Sequence, residues 1–112
     1  MERDTFLTFL GLVRRAGKLA CGEEQTIRAR KLGKARLILL AEDASVNAED
    51  RAETISHDRS CPLLKLPYTK ETLSDATGTA PFAMAAVCDS GFAEALQKKY
   101  RTEQAGKDTG MK

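Results

Sequence analysis

The stretch "GEEQTIRARKLGKARLILLAEDAS", Gly22 to Ser45, joins a glycine-bounded polar segment to an uninterrupted apolar run. The polar segment, residues 23–32, is predicted to form a helix that Gly22 opens and Gly33 ends. The run "ARLILLA", residues 35–41, is predicted to be a buried strand, because a strand that is apolar on both faces is typical of a sheet covered by helices. The stretch therefore predicts an α/β fold.

The remainder of the chain continues this alternation of helices and strands. Further helices are predicted over residues 5–16, 48–59, 69–76 and 90–100, and further strands at 18–21, 61–67 and 82–89. Asn47 and Ser90 are predicted to cap the helices that begin beside them. The order α-β-α-β-α-β-α-β-α implies helices on both sides of a small mixed or parallel sheet. We expect one domain over residues 1–100 and a polar, disordered tail over 101–112.

Charge is distributed unevenly along the chain, although the net charge of the 112 residues is only +2. Residues 14–36 hold eight Lys or Arg against two acids, a net +6, and residues 37–60 hold two against six, a net −4. Such a dipolar surface is expected to bind a polyanion at one end and to repel it at the other. The alternative is that the charged residues of an ordinary soluble domain cluster by chance.

The sequence lacks the usual signatures of cofactor, metal and membrane proteins. It contains no GxGxxG, no P-loop and no CxxC, and its three separated cysteines are expected to be reduced, buried thiols. The longest apolar run, residues 37–41, is too short to span a bilayer, and the N-terminus lacks a signal-peptide pattern. We therefore expect a cytoplasmic protein that binds no cofactor, metal or membrane.

Two features could still point to an enzyme. Glu42 and Asp43 end a buried strand, where a receiver-like domain would hold Mg²⁺, but no second acid cluster accompanies them, so we interpret them as loop and cap residues. His57 lies in a charged helix without a Ser or Cys nucleophile nearby, and we expect it to be solvated. The sequence therefore predicts a protein that is not an enzyme.

The predicted helix at residues 23–32 begins with two carboxylates and continues with cations. Acids in a first turn complement the helix dipole, and Glu24 can pair with Arg28 one turn later, so a purely structural role is open. In the functional alternative, Glu24, Gln25 and Arg28 surround an exposed helix start. Glu24 and Gln25 would accept hydrogen bonds from base edges, and the cations would bind phosphates of a folded RNA with an unpaired site.

This stretch, together with "LGLVRRAGKLACG" (10–22), "LSDATG" (73–78) and "AAVCDSGFAEAL" (85–96), resembles the kink-turn-binding ribosomal-protein superfamily, and most closely its bacterial YlxQ-like and YbxF-like branch. The resemblance covers residues 4–100. It implies a three-layer α/β/α sandwich around a four-stranded mixed sheet.

The family's RNA-binding helix carries Gly, any residue, Asn, Glu, two residues of any type and Lys. Gly22 matches the Gly, and the Asn, Glu and Lys positions hold Glu24, Gln25 and Arg28. Gln at the Glu position is usual in the bacterial branch. Glu24 departs from the pattern, which has Asn at this position. Unlike the amide of Asn, a carboxylate donates no hydrogen bond, and it repels phosphate.

The resemblance also implies a loop that packs against a base extruded from the kink. It follows an LGxAxG pattern, here residues 73–78, in which Ser74 replaces the first glycine. The contacting residues correspond to Thr79, Ala80 and Pro81, although these could equally form a plain helix-to-strand connection.

The resemblance implies a non-catalytic, cytoplasmic RNA-binding protein, ribosome-associated or acting on a structured RNA, with ribosomal or other RNA-associated proteins as further partners. The alternative is a protein-interaction module of the same fold that has lost RNA binding and uses its acidic segment, residues 42–58. The predicted RNA-binding residues are Gly22, Glu23, Glu24, Gln25, Arg28, Lys31, Arg14, Lys18, Thr79, Ala80 and Pro81, and Arg15, Arg30 and Lys34 are expected to add affinity.

Overall fold

A computed structural model describes residues 5–56 and 61–110, with side chains as far as residue 101. Five helices and four strands alternate along it, and this order confirms the predicted one. The elements are α1 (Thr5–Arg15), β1 (Leu19–Cys21), α2 (Glu23–Lys31), β2 (Leu37–Leu40), α3 (Val46–Ile55), β3 (Leu63–Lys65), α4 (Lys70–Thr77), β4 (Met84–Val87) and α5 (Ser90–Gly110).

The four strands form one mixed sheet in the order β1-β4-β2-β3. β4 is antiparallel to both of its neighbours, and β2 is parallel to β3. The last strand in sequence therefore lies between the first and second strands. This order confirms the four-stranded mixed sheet, and it brings the start of β4 beside the end of β1 and the end of β2.

Alternate residues of β2 enter two separate apolar cores, one on each face of the sheet. Leu37 and Leu39 pack in the core that α1, α4 and α5 cover. Ile38 and Leu40 pack in the core that α2 and α3 cover. Each such leucine or isoleucine, if fully buried, contributes about 1.5–3 kcal/mol to folding. Burial on both faces explains why the strand is apolar throughout and confirms the three-layer α/β/α sandwich.

Helices α1 and α4 pack tightly against each other at Gly11. A Cβ atom at this position would lie 2.7 Å from the backbone oxygen of Ala76, which is too near for any side chain. Only glycine therefore allows α1 to pack at this depth against the helix that leads into the loop before β4.

The boundaries of the third and fifth helices differ from the predicted ones. Ser45, rather than Asn47, caps α3, because its side chain accepts a hydrogen bond from the amide of Ala48. α3 ends at Ile55, before the predicted end near residue 59, and His57 lies outside the described residues. Asp89, rather than Ser90, caps α5 by accepting from the amide of Phe92 at 2.9 Å.

The last helix continues beyond residue 100, where the predicted domain ends, and runs to Gly110. A separate unit over residues 101–112 stays a prediction. Of the three cysteines, which were expected to be buried, Cys61 is buried, and Cys21 and Cys88 are partly exposed. Within residues 5–56 and 61–110, every helix is too short or too polar to cross a bilayer.

Candidate nucleic-acid interface

Gly22, the residue just before α2, is held by hydrogen bonds to both its backbone amide and its backbone carbonyl. Its φ of 101° lies in the region that glycine adopts without strain. Its amide donates to the carbonyl of Met84 at 2.9 Å, and its own carbonyl accepts from both the amide (2.9 Å) and the hydroxyl (2.7 Å) of buried Thr26. The start of α2 is thus fixed to the start of β4.

No side chain caps α2. The first amides of an α-helix have no partner within the helix and carry partial positive charge, so they are donors available to an anion or a base acceptor. We call Gly22, Glu23, Glu24 and Gln25 the tip of α2. The side chains of Glu24 and Gln25 are exposed there, and Glu23 is partly buried.

The exposed face of α2 continues from the tip as a shallow groove. Glu24, Arg28 and Lys31 line it with Ile27 and Leu32, as the helical spacing i, i+4, i+7 requires. Leu32 is 60% exposed, which is high for a large apolar side chain. The groove therefore combines the cationic side chains of Arg28 and Lys31 with the apolar side chains of Ile27 and Leu32.

Two charged residues of α2 point away from this groove, toward α3. Glu23 forms a hydrogen-bonded ion pair with Arg51. Arg30 donates from Nε to the carbonyl of Ile55 at 2.7 Å. These contacts hold α2 against α3, and the sequence analysis did not predict that Glu23 and Arg30 bind this neighbouring helix.

The loop between α4 and β4, residues 78–83, is held by hydrogen bonds from the end of α4. The hydroxyl of Ser74 donates to the carbonyl of Thr79, and the amide of Gly78 donates back to the Ser74 carbonyl at 2.8 Å. The hydroxyl of Thr77 lies 3.0 Å from that of Thr79. Ala80 and Pro81, the next two residues, are exposed at the end of this ordered turn.

Cys21 connects this loop to α1 and to the tip of α2. Burial raises the pKa of its thiol, while the charge of Arg14 and hydrogen bonds with Thr79 and Arg14 act in the opposite direction. Since Cys21 directly precedes Gly22, these contacts bring Arg14, Thr79 and the tip together. The structure therefore gathers most of the predicted RNA-binding residues at the end of the sheet where β4 begins.

Lys18 does not join this group. Its carbonyl accepts from the amide of Cys88 at 2.8 Å, which places it beyond the opposite end of β4. Four residues of extended chain separate Lys18 from Gly22, a distance of about 13 Å. Lys18, which was predicted to bind RNA, therefore lies at the other end of β1 from the tip, and its contact with RNA stays a prediction. Arg15 is exposed in the last turn of α1.

The acidic residues after β2 serve mainly to connect elements. The Asp43 carboxylate accepts from the amide of Lys70 at 2.9 Å, at the start of α4. Glu49 and Glu53 of α3 both pair with Lys65, at 2.8 and 3.1 Å. Asp43 thus binds the first amide of α4 from a distant part of the chain, and part of the acidic segment is neutralised within the protein.

Three contributors to this geometry were missed in the sequence analysis: the Ser74 hydroxyl, the Cys21 thiol and Arg51. Ser74 was noted only as a departure from glycine. Its sequence signal is a hydroxyl in the last turn of a helix before a loop, where Ser and Thr commonly bond to nearby backbone. The contacts of Cys21 and Arg51 cross between elements and leave no local signal.

Comparison with known proteins identifies the family. The profile of the "Ribosomal protein L7Ae/L30e/S12e/Gadd45 family" matches residues 4–97. "RNA-binding protein YlxQ" of Bacillus subtilis (strain 168) is 35% identical over 91 residues, which cover 78% of this chain and 86% of that protein. "RNA-binding protein YlxQ" of Enterococcus faecium is 32% identical over 93 residues, 83% of this chain and 88% of that one.

Solved structures give the same fold. A Bacillus halodurans protein described as having unknown function superimposes with a TM-score of 0.80 at 27% identity, covering 87% of this chain and 97% of that one. The Giardia lamblia 15.5kD RNA binding protein gives a TM-score of 0.67 at 17% identity, over 88% and 84% of the two chains, and is similar in fold. The predicted resemblance is confirmed: the chain belongs to the ribosomal protein L7Ae/L30e/S12e/Gadd45 family, and its relatives include the bacterial YlxQ proteins.

Proposed function

We propose that this protein is a non-catalytic RNA-binding protein that recognises a bent, kink-turn-like site in a structured RNA. One observation carries the proposal. The exposed tip of α2 and the exposed end of the α4–β4 loop meet at one end of the sheet, with Arg14 and Arg28 beside them. Family membership and the RNA-binding relatives support the same function.

The tip is suited to reading bases that a kink opens. Glu24 and Gln25 present oxygen acceptors, and Gln25 also an amide donor, next to the first backbone amides of α2, which have no partner within the helix. In paired A-form RNA the deep major groove excludes side chains, so such groups reach base edges only where the helix is interrupted. The tip therefore discriminates a bent site from a plain duplex.

The cations supply affinity that does not depend on sequence. Arg28 and Lys31 line the exposed groove of α2, and Arg14 lies by Cys21 on the other side of the tip. Guanidinium groups bind phosphate through paired hydrogen bonds, and lysines bind it as point charges. The negative charge of Glu24 among them reduces affinity relative to an amide at this position.

The α4–β4 loop provides a surface for an extruded base. Ala80 and Pro81 are exposed and apolar, and Pro81 has no amide that would need a partner. Since Ser74 and Thr77 hold Thr79, the loop is ordered before RNA arrives, which lowers the entropy cost of binding.

The natural partner is proposed to be ribosomal or another structured RNA, in a cytoplasmic ribonucleoprotein that also contains ribosomal or other RNA-associated proteins. A protein-interaction module that uses the acidic α3 is the rival function. Internal pairing of Glu49 and Glu53 with Lys65 leaves that face less charge for a partner.

An electrophoretic mobility-shift series separates the two functions. The purified protein is titrated into a kink-turn RNA, the same strands without the bulge, and a single strand, each at low and moderate salt. RNA recognition predicts tighter binding to the kinked RNA at both salt concentrations. Equal binding to all three RNAs would contradict it and favour the interaction module.

A further inference from the structure

A second group of cations lies at the end of the sheet opposite the tip. Leu19 of β1 and Leu37 of β2 both pair with Val87 of β4, from opposite sides. The residues that precede them, Lys18 and Arg36, therefore flank the end of β4. The amide of Cys88 donates to Lys18 at 2.8 Å, and the amide of Arg36 donates to Val87 at 2.8 Å. With strands about 4.8 Å apart, the two backbones are about 10 Å apart.

Lys34 completes this group from the turn between α2 and β2. Its amide donates to the carbonyl of Ala29 at 2.9 Å, and the Arg36 guanidinium donates to the carbonyl of Gly33 at 2.8 Å. Burial raises the pKa of the Cys88 thiol, and the positive charges of Lys34, Arg36 and Lys18 oppose this rise. Three cations from two segments of the chain, Lys18 before β1 and Lys34 and Arg36 in the turn before β2, thus surround one thiol. We call Lys18, Lys34 and Arg36 the distal cluster.

The distal cluster is exposed and lies at the C-terminal end of α2, the helix whose N-terminal end is the tip. Lys18, Lys34 and Arg36 are all exposed, and none takes part in an ion pair among the described residues. The acid next to Cys88, Asp89, uses its carboxylate to cap α5. Arg28 and Lys31 lie between the cluster and the tip, so positive charge extends along α2 for about 13 Å.

We propose that the distal cluster binds the sugar–phosphate backbone of a helical arm of the RNA that leaves the bent site. This inference rests on the proposed function. Ammonium and guanidinium groups bind phosphate oxygens and offer no acceptor for base amino groups, so the contact is independent of sequence. Because the cluster lies one helix length from the tip, only an RNA with an arm long enough to follow α2 reaches it.

The test compares RNAs that share one kink and differ in arm length. Each arm is shortened in turn, and dissociation constants are measured across a range of salt for the native chain and for a Lys18→Gln/Lys34→Gln double variant. Arg36 is kept because its guanidinium bonds hold the turn. On long-armed RNA the double variant should lose up to about 1.8 in the slope of log affinity against log salt, or about 0.9 for each phosphate contact.

Shortening the arm that contacts the distal cluster should remove this difference in salt slope between the native chain and the Lys18→Gln/Lys34→Gln variant. A Lys98→Gln/Arg101→Gln variant on α5 is the control, since it loses the same charge from exposed positions in the other helical layer and should keep the native slope. Equal slopes for the native chain and the double variant on long-armed RNA would overturn the proposal. A slope loss that is the same on every RNA, whatever the arm length, would also overturn it.

If the proposed function itself is wrong, the affinities of the native chain will show it separately. The native chain itself would then bind kinked and straight RNA equally, before any variant is compared. Thermal melts of both double variants should match that of the native chain, which establishes that folding is intact.

Discussion

Glu23, in the first turn of α2, forms an ion pair with Arg51 of α3. The neighbouring Glu24 and Gln25 are exposed, so the acidic start of α2 divides into one residue that positions the helix and two that face outward. Electrostatics at the tip therefore depend on Glu24, since the charge of Glu23 is offset by that of Arg51.

Glu23→Gln should leave RNA discrimination almost unchanged. The ion pair it removes is largely exposed and contributes about 0.2–1 kcal/mol to stability. We expect a slightly lower midpoint of urea unfolding and the native ratio of kinked to straight RNA affinity. Gln25→Ala is the matched comparison and should lower that ratio. Equal losses of discrimination in both variants would contradict the division of roles.

Arg28→Ala should weaken binding to kinked RNA at every salt concentration. A hydrogen bond to a charged group contributes about 1.5–3 kcal/mol, which corresponds to roughly ten- to hundred-fold in affinity. The salt slope should also fall by about 0.9 if Arg28 contacts one phosphate. Filter-binding titrations at several salt concentrations measure both quantities. Lys98→Ala, on α5, should change neither beyond its small effect on net charge.

Glu24→Asn should strengthen binding to a kink-turn RNA. The substitution removes a negative charge that faces phosphate and adds an amide donor at the position where the family carries Asn. The gain should shrink as salt rises, because part of it is electrostatic. Titration calorimetry against one kinked RNA measures it, and an unchanged affinity would discard the carboxylate as the cause of weakened binding.

Ser74→Ala should loosen the α4–β4 loop without unfolding the domain. It removes the hydroxyl that donates to the carbonyl of Thr79, a bond expected to contribute about 0.5–1.5 kcal/mol. Amide hydrogen exchange should accelerate at residues 78–80, and affinity for kinked RNA should fall severalfold. Thr8→Ala, at an exposed position of α1, is the control. Native exchange rates in the loop of Ser74→Ala would contradict its clamping role.

The order of elements and the buried strand β2 could be predicted because their signals are local. Four consecutive apolar residues between a glycine-bounded helix and an acidic turn admit few alternatives. The helix caps were predicted less well. Ser45 and Asn47 both have capping side chains within two positions of each other, and the sequence alone does not rank them. Asp89 and Ser90 present the same ambiguity before α5.

The exposed face of α2 was predictable for a similar reason, since residues 24, 28 and 31 share one side of any helix. The position of Lys18 was not. It is near the tip in sequence, but the short β1 carries the chain from one end of the sheet to the other between Lys18 and Gly22. Its proximity to Arg36 follows from the placement of β4 between β1 and β2, which sequence patterns do not reveal.

The most direct test of the account is an NMR titration of the labelled chain with kink-turn RNA. Recognition by the tip and loop predicts that the amides of Gly22, Gln25 and Thr79 shift first and most, while those of Leu12 on α1 stay in place. A pattern in which the largest shifts fall on α3, around Glu49 and Glu53, with Gly22 and Gln25 unmoved, would contradict the central claim.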